Sequence, residues 1–174
     1  MRAYQDMVFT TAARLTGRDA QAEDIAQEVF IRAYEHFEQL RSSASAGGWL
    51  KTVARNLSLN YLTRHRRRWR LFSELPSADE EEAGPEPQIP VPDPLVSDLD
   101  LEERRALIDS ALGQLPERQR LSLVLYHFEE LPYDAIAAQL RVPLATVKSD
   151  IHRGRQALLK QLQSRGLAAD MLEA

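Results

Sequence analysis

The chain contains no cysteine, which excludes a disulfide framework and any thiolate zinc site and is expected of a cytosolic, cytoplasmic protein. It has no apolar run near the roughly 20 residues that a membrane span requires. Its N-terminus also lacks the pattern of a secretion signal. No glycine-rich phosphate loop, nucleophile motif or metal-ligand cluster is present, so no enzyme activity, metal or cofactor is expected. An excess of positive charge is missing too: 22 Lys and Arg stand against 26 Asp and Glu, a net of −4. That balance looks wrong for a nucleic-acid binder until the chain is divided. Residues 1–75 hold 12 basic and 8 acidic groups, a net of +4; residues 76–98 hold 0 and 7, a net of −7; residues 99–174 hold 10 and 11, a net of −1. The acidity is gathered in the middle and basic groups remain in two patches, where local geometry counts for more than the sum.

Six of the nine prolines fall between Pro76 and Pro94. The stretch PSADEEEAGPEPQIPVPDPLVSD has neither helical nor strand period, so residues 76–98 read as a linker held extended by proline and self-repelling charge. At about 3.1 Å per residue it spans up to roughly 70 Å, on the order of 20 base pairs of duplex. The expected organisation is all-α, with two small helical domains at 1–75 and 99–174.

Residues 4–16 predict a helix with Val8, Ala12 and Leu15 on one face and Gly17 as its stop. Asp19 can cap the next, AQAEDIAQEVFIRAYEHFEQL, whose core stripe is Ile25, Val29, Phe30, Ala33, Tyr34 and Phe37. Asp24, Gln27, Glu28 and Glu35 share another face. That acidic stripe is either a solvated surface or a docking face for a basic partner. No histidine or third carboxylate stands at ligand spacing, so a metal or acid–base site is not supported. The small, flexible RSSASAGG (Arg41–Gly48) follows. It is either a plain connection or a loop whose backbone can approach a flipped base closely.

The stretch Trp49–Arg70 carries seven basic residues and no acid. Leu50, Val53, Ala54, Leu57 and Tyr61 form a buried stripe at helical spacing. Trp49, Arg55, Asn56 and Asn60 fall largely off it, and Arg64, Arg66 and Arg67 belong to the RHRRR run. Cations hold phosphates, amides pair with base edges and an indole stacks, so this face suits a nucleic acid strand. The alternative is a solvated basic helix end.

Beyond the linker, Leu101–Leu112 reads as a helix ended by Gly113 and Pro116. PERQRLSLVLYHFEE follows, with Leu121, Val124, Leu125 and Phe128 inward. LPYDAIAAQLRVPLATVKSDIHRGRQALLKQL is the most specific pattern. Ile136, Ala137 and Leu140 mark a short helix, Arg141–Val142–Pro143 a tight turn, and Leu144, Val147, Ile151 and Leu158 the core stripe of a second helix. This is a helix-turn-helix. Thr146, Lys148, Ser149, His152, Arg153 and Gln156 are expected outward with Arg155 nearby, the hydroxyls, amides and cations that major-groove reading needs. A helical hairpin with a solvated face is the bland alternative.

The segments AEDIAQEVFIRAYEHF, WLKTVARNLSLNYL, LPERQR and LPYDAIAAQL through TVKSDIHRGRQAL, in this order, closely resemble bacterial RNA polymerase sigma factors. Within the sigma-70 family they look like the small extracytoplasmic-function (ECF) group, which retains regions 2 and 4. The resemblance implies a non-catalytic initiation subunit that binds core RNA polymerase and directs promoter-specific transcription. Asp24, Gln27 and Glu28 would dock on the clamp helices of the β′ subunit. Trp49, Asn56 and Asn60 would help melt the −10 element, with Arg55 beside them and Arg64, Arg66 and Arg67 against promoter phosphates. The loop near Arg41–Ala46 would hold a flipped base. Thr146, Lys148, Ser149, His152, Arg153 and Arg155 would read the −35 element, and the second domain would also dock on the β flap. The acidic linker resembles the family's connector, which threads toward the active-site cleft. An anti-sigma factor is an expected partner.

Three departures from the pattern stand out. The first helix is short, or its native start lies upstream of Met1. Arg141 stands where the turn usually has glycine, which costs strain if it takes a positive φ. Asp150 stands where a basic residue is common, so it is expected to weaken phosphate contact or to read a cytosine. The rival reading is a stand-alone helix-turn-helix regulator that binds its operator without polymerase, often as a dimer on a palindrome.

Overall fold

The computed structural model describes the backbone of residues 4–41, 43–70 and 101–164, and the side chains of these except 65–70 and 101. Over the described residues it contains eight helices and no strand: α1 (Gln5–Thr16), α2 (Asp19–Glu35), α3 (Phe37–Leu40), α4 (Ala46–Arg70), α5 (Leu101–Gly113), α6 (Glu117–His127), α7 (Tyr133–Leu140) and α8 (Leu144–Ser164). The chain divides into two compact units, Met1–Ala78 and Asp79–Ala174. The linker expected at 76–98 lies outside the described residues.

In the first unit α1, α2 and α4 pack against one another. Their common core is Val8 and Ala12 from α1, Ala22, Ile25, Val29 and Ala33 from α2, and Leu50 and Ala54 from α4. Ala12, Ala22 and Ala54 are fully buried, and their small side chains let the helices approach. Each fully buried valine or leucine, such as Val8, Leu15 or Val29, contributes roughly 1.5–3 kcal/mol. Helix α1 ends at Gly17, whose φ of 67° is left-handed and whose N–H donates to the Ala13 carbonyl at 2.7 Å, a cap that glycine adopts without steric cost. Asp19 is not the cap of α2. Arg18 occupies that position without a side-chain cap bond, and Asp19 is the first helical residue, where its charge favours the positive end of the helix.

Two expectations for α2 are corrected. The helix ends at Glu35 rather than running to Leu40, because the backbone turns at His36 (φ −103°, ψ 17°) before the single turn of α3. Tyr34 and Phe37, expected in the core, are 75% and 46% exposed. Ala22, Ile25, Val29 and Ala33 already cover the stripe that faces α1 and α4, and one helix face cannot bury a second apolar row. Helix α4 begins at Ala46, earlier than expected, so the small residues Ala46, Gly47 and Gly48 belong to the helix rather than to the connection.

In the second unit α6 is buried from Arg120 to Leu125, and α8 packs on α5, α6 and α7. Pro116 precedes the first residue of α6, where its missing N–H costs nothing. Gly154 lies where α8 crosses α6. A Cβ there would stand 2.8 Å from Leu123 Cδ1 and 3.3 Å from Gln119 Cβ, so only glycine permits this approach. Val147 and Ile151 are buried as expected, whereas Leu144 is 38% exposed because it opens α8 before the helix reaches the core. Arg141 ends α7 with φ 56° and ψ 47°, and the Val142 N–H closes the turn on the Ala137 carbonyl at 3.1 Å. The strain expected of a side chain in the left-handed region is present there.

Candidate nucleic-acid and partner interfaces

On α2, Asp24 and Gln27 are exposed, and Glu28 accepts a 2.8 Å ion-paired hydrogen bond from Arg32 Nε, one turn on. Ile31 and Tyr34 continue this face at three- and four-residue spacing and are 57% and 75% exposed. Acid, amide and ion pair thus merge into an apolar strip, with exposed Phe37 following beyond the break. Exposed apolar rows edged by polar groups mark protein-binding surfaces. Sequence reasoning missed Ile31 and misassigned Tyr34 and Phe37. The available signal was that α2 carries more large apolar residues than a single stripe can hide.

On α4, Thr52, Asn56, Asn60 and Thr63 are exposed, and at about 100° per residue they share one face with Trp49. Trp49 is only partly exposed: it packs on the first unit's core, and its ring meets His36 edge-on at 5.7 Å between centroids. The break at His36 therefore helps to hold the indole beside the two amides. Arg55 is half buried, and Arg64 is exposed one turn beyond Asn60. The side chains of Arg66 and Arg67 lie outside the described residues. In the preceding loop the Ser45 N–H donates to Ser43 Oγ at 3.2 Å, which shapes the entry to α4. Gly47 packs against the Tyr4 ring, which would stand 3.0 Å from a Cβ at that position, whereas Gly48 has open space around it.

On α8, Lys148 is exposed, while Thr146, Ser149, His152 and Arg153 are partly exposed. These five lie together on the leading turns of the helix-turn-helix. Arg155 does not join them. It is 8% exposed, its Nε donates to His127 Nε2 at 3.3 Å, and its guanidinium lies 5.5 Å from the centre of the Tyr126 ring. Tyr126 in turn packs against Tyr133 at 4.8 Å, so Arg155 fastens α8 to α6. Asp150 is also turned inward at 8% exposure. Its Oδ2 accepts from Arg118 Nε at 3.2 Å and Nη2 at 3.1 Å. A carboxylate so enclosed and so paired does not face a cytosine, which corrects that expectation. Among the described residues, no group of three or more His, Asp and Glu is placed to hold a metal ion.

Residues 1–68 match the family described as Sigma-70 region 2, and residues 105–158 match Sigma-70, region 4. The chain is 34% identical over 164 residues to the ECF RNA polymerase sigma factor SigW of Bacillus subtilis, an alignment covering 92% of this chain and 85% of that one. The chain belongs to the ECF group of the sigma-70 family. It is also 37% identical over 159 residues to the ECF RNA polymerase sigma factor SigE of Mycolicibacterium smegmatis, covering 91% of this chain and 58% of that protein. A solved sigma factor, RpoE of Bartonella quintana in complex with the anti-sigma factor NepR, shares the fold with a TM-score of 0.51 at 21% identity, covering 93% of each chain.

In this sigma factor the region 2 match includes both the α2 face and the exposed amides of α4, and the region 4 match includes α6, α7 and the polar leading turns of α8. No helix among the described residues is long and apolar enough to cross a membrane.

Proposed function

We propose that this sigma factor binds core RNA polymerase and directs promoter-specific initiation, with each unit acting through the faces described above. The observation that carries the reading is the pairing of two surfaces in one small unit. The acidic-to-apolar strip of α2 fits a protein partner, and Trp49, Asn56 and Asn60 on α4 fit unstacked bases. In this reading Asp24, Gln27 and Glu28, extended by Ile31 and Tyr34, dock on the β′ clamp helices. Trp49, Asn56 and Asn60, with Arg55, Arg64, Arg66 and Arg67 nearby, open the −10 element. Melting is driven by differential affinity, because the face binds unpaired bases better than paired ones. Thr146, Lys148, Ser149, His152 and Arg153 read the −35 element, and the β flap holds this unit on the enzyme. The two readers act as a linked pair whose second contact benefits from a raised effective concentration.

The factor supplies recognition and strand separation, and polymerase supplies the chemistry. An anti-sigma factor that covers these faces is a fitting regulator; the Bartonella sigma factor is seen in complex with one, NepR. The stand-alone regulator is not favoured, because the likeness to sigma factors runs through both units. The test is to add the purified chain to sigma-free core polymerase and to look for a stable complex and new start sites in run-off transcription of genomic fragments. No complex, together with tight binding to bare duplex, would overturn the reading.

A further inference from the structure

We propose that Arg118 is a DNA-phosphate contact of the −35 reader, and that Asp150 is the positioning residue that holds it at the edge of the recognition helix. The proposal rests on the assignment of α8 to −35 recognition. Arg118 stands in the first turn of α6, outside the helix-turn-helix itself, yet two of its nitrogens are fixed on one oxygen of Asp150, in the middle of the reading turns of α8. The partners are unequally placed: the Asp150 side chain is 11% exposed and that of Arg118 is 50% exposed. The carboxylate is thus spent on orientation, while the guanidinium faces solvent with the donors of Nη1 unused by the pair. On α8, Asp150 is one turn from Thr146 and from Arg153, both on the partly exposed recognition side. Its other one-turn neighbours, Val147 and Gly154, are buried, so Asp150 lies at the border between the core and that side, and the half-exposed guanidinium it holds is at the same border.

An arginine locked by a carboxylate has already lost most of its rotamer freedom, so it engages a phosphate at less entropic cost than a free side chain. Pairing also cancels an acid that would otherwise repel the backbone of the duplex. The acid at position 150 then serves DNA binding through Arg118 instead of opposing it.

The test uses the full chain reconstituted with core polymerase and a promoter fragment recovered from genomic run-off transcription. Affinity is followed across salt concentration, and the melting temperature of each variant is recorded. Arg118→Ala is expected to weaken binding several-fold at moderate salt and to flatten the log–log salt slope by about one unit. Asp150→Asn keeps the cation but frees it, and is expected to lose affinity while retaining most of the slope. Arg118→Lys is expected to restore the slope with incomplete affinity. A lower melting temperature for Arg118→Ala and Asp150→Asn with an unchanged salt slope for Arg118→Ala overturns the proposal in favour of a purely structural pair. Failure of the wild-type holoenzyme to bind any promoter fragment would instead overturn the −35 reading beneath it.

Discussion

Arg155 donates through Nε to Nε2 of His127 at 3.3 Å, so the imidazole must be neutral, with its own proton on Nδ1. Burial lowers the His127 pKa from 6.5, and the Arg155 charge lowers it further. Although His127 keeps an exposed edge, the side turned to Arg155 has lost water. The unfolded chain then takes up a proton near pH 6.5 that the folded unit refuses until lower pH. Stability from this contact is present above the unfolded pKa and is lost as pH falls through the folded one. Melting of the second unit should therefore shift to lower temperature between pH 7.5 and pH 5.5. His127→Gln should reduce that shift; an equal shift in the variant would refute the assignment.

Gly154→Ala should destabilise the second unit by about 1–3 kcal/mol, the usual range for overpacking a filled core. The new methyl would meet Leu123, itself 2% exposed. Gly113→Ala is the control, because a Cβ there meets nothing within 4 Å. Similar melting temperatures for the two variants would show that α6 and α8 can part without cost.

Arg141→Gly should stabilise the helix-turn-helix by about 1 kcal/mol, because glycine takes a φ of 56° without steric penalty. Greater freedom of glycine in the unfolded chain offsets part of this gain. A fall in melting temperature would mean that the exposed Arg141 side chain contributes more than its strain costs.

Asp24→Arg should greatly weaken binding to core polymerase and leave the circular dichroism and melting temperature unchanged, since Asp24 is exposed on α2. Ile31→Ala, two turns further along the same face, should weaken the same complex to a smaller degree. Wild-type affinity in both variants would remove this face from the docking surface.

Asn56→Ala should reduce promoter opening, read by permanganate reactivity of unpaired thymines, more than it reduces core binding. Asn56 is exposed beside Asn60 and makes no part of the α2 face. Equal losses in the two assays would place Asn56 in a structural role instead.

The sequence alone determined most of the helices and the two-part all-α organisation, because helical period, the Gly17 stop and the RVP turn are local signals that tertiary packing did not override. It also carried the family, through motifs spread along both ends of the chain. Only the tertiary structure decided which of two apolar rows on α2 is buried, since periodicity records that residues share a face but not how much of it a neighbour covers. Packing likewise drew Arg155 onto His127 and Asp150 onto Arg118. Those partners lie 28 and 32 positions away, and no local pattern reports a side-chain pairing across that distance.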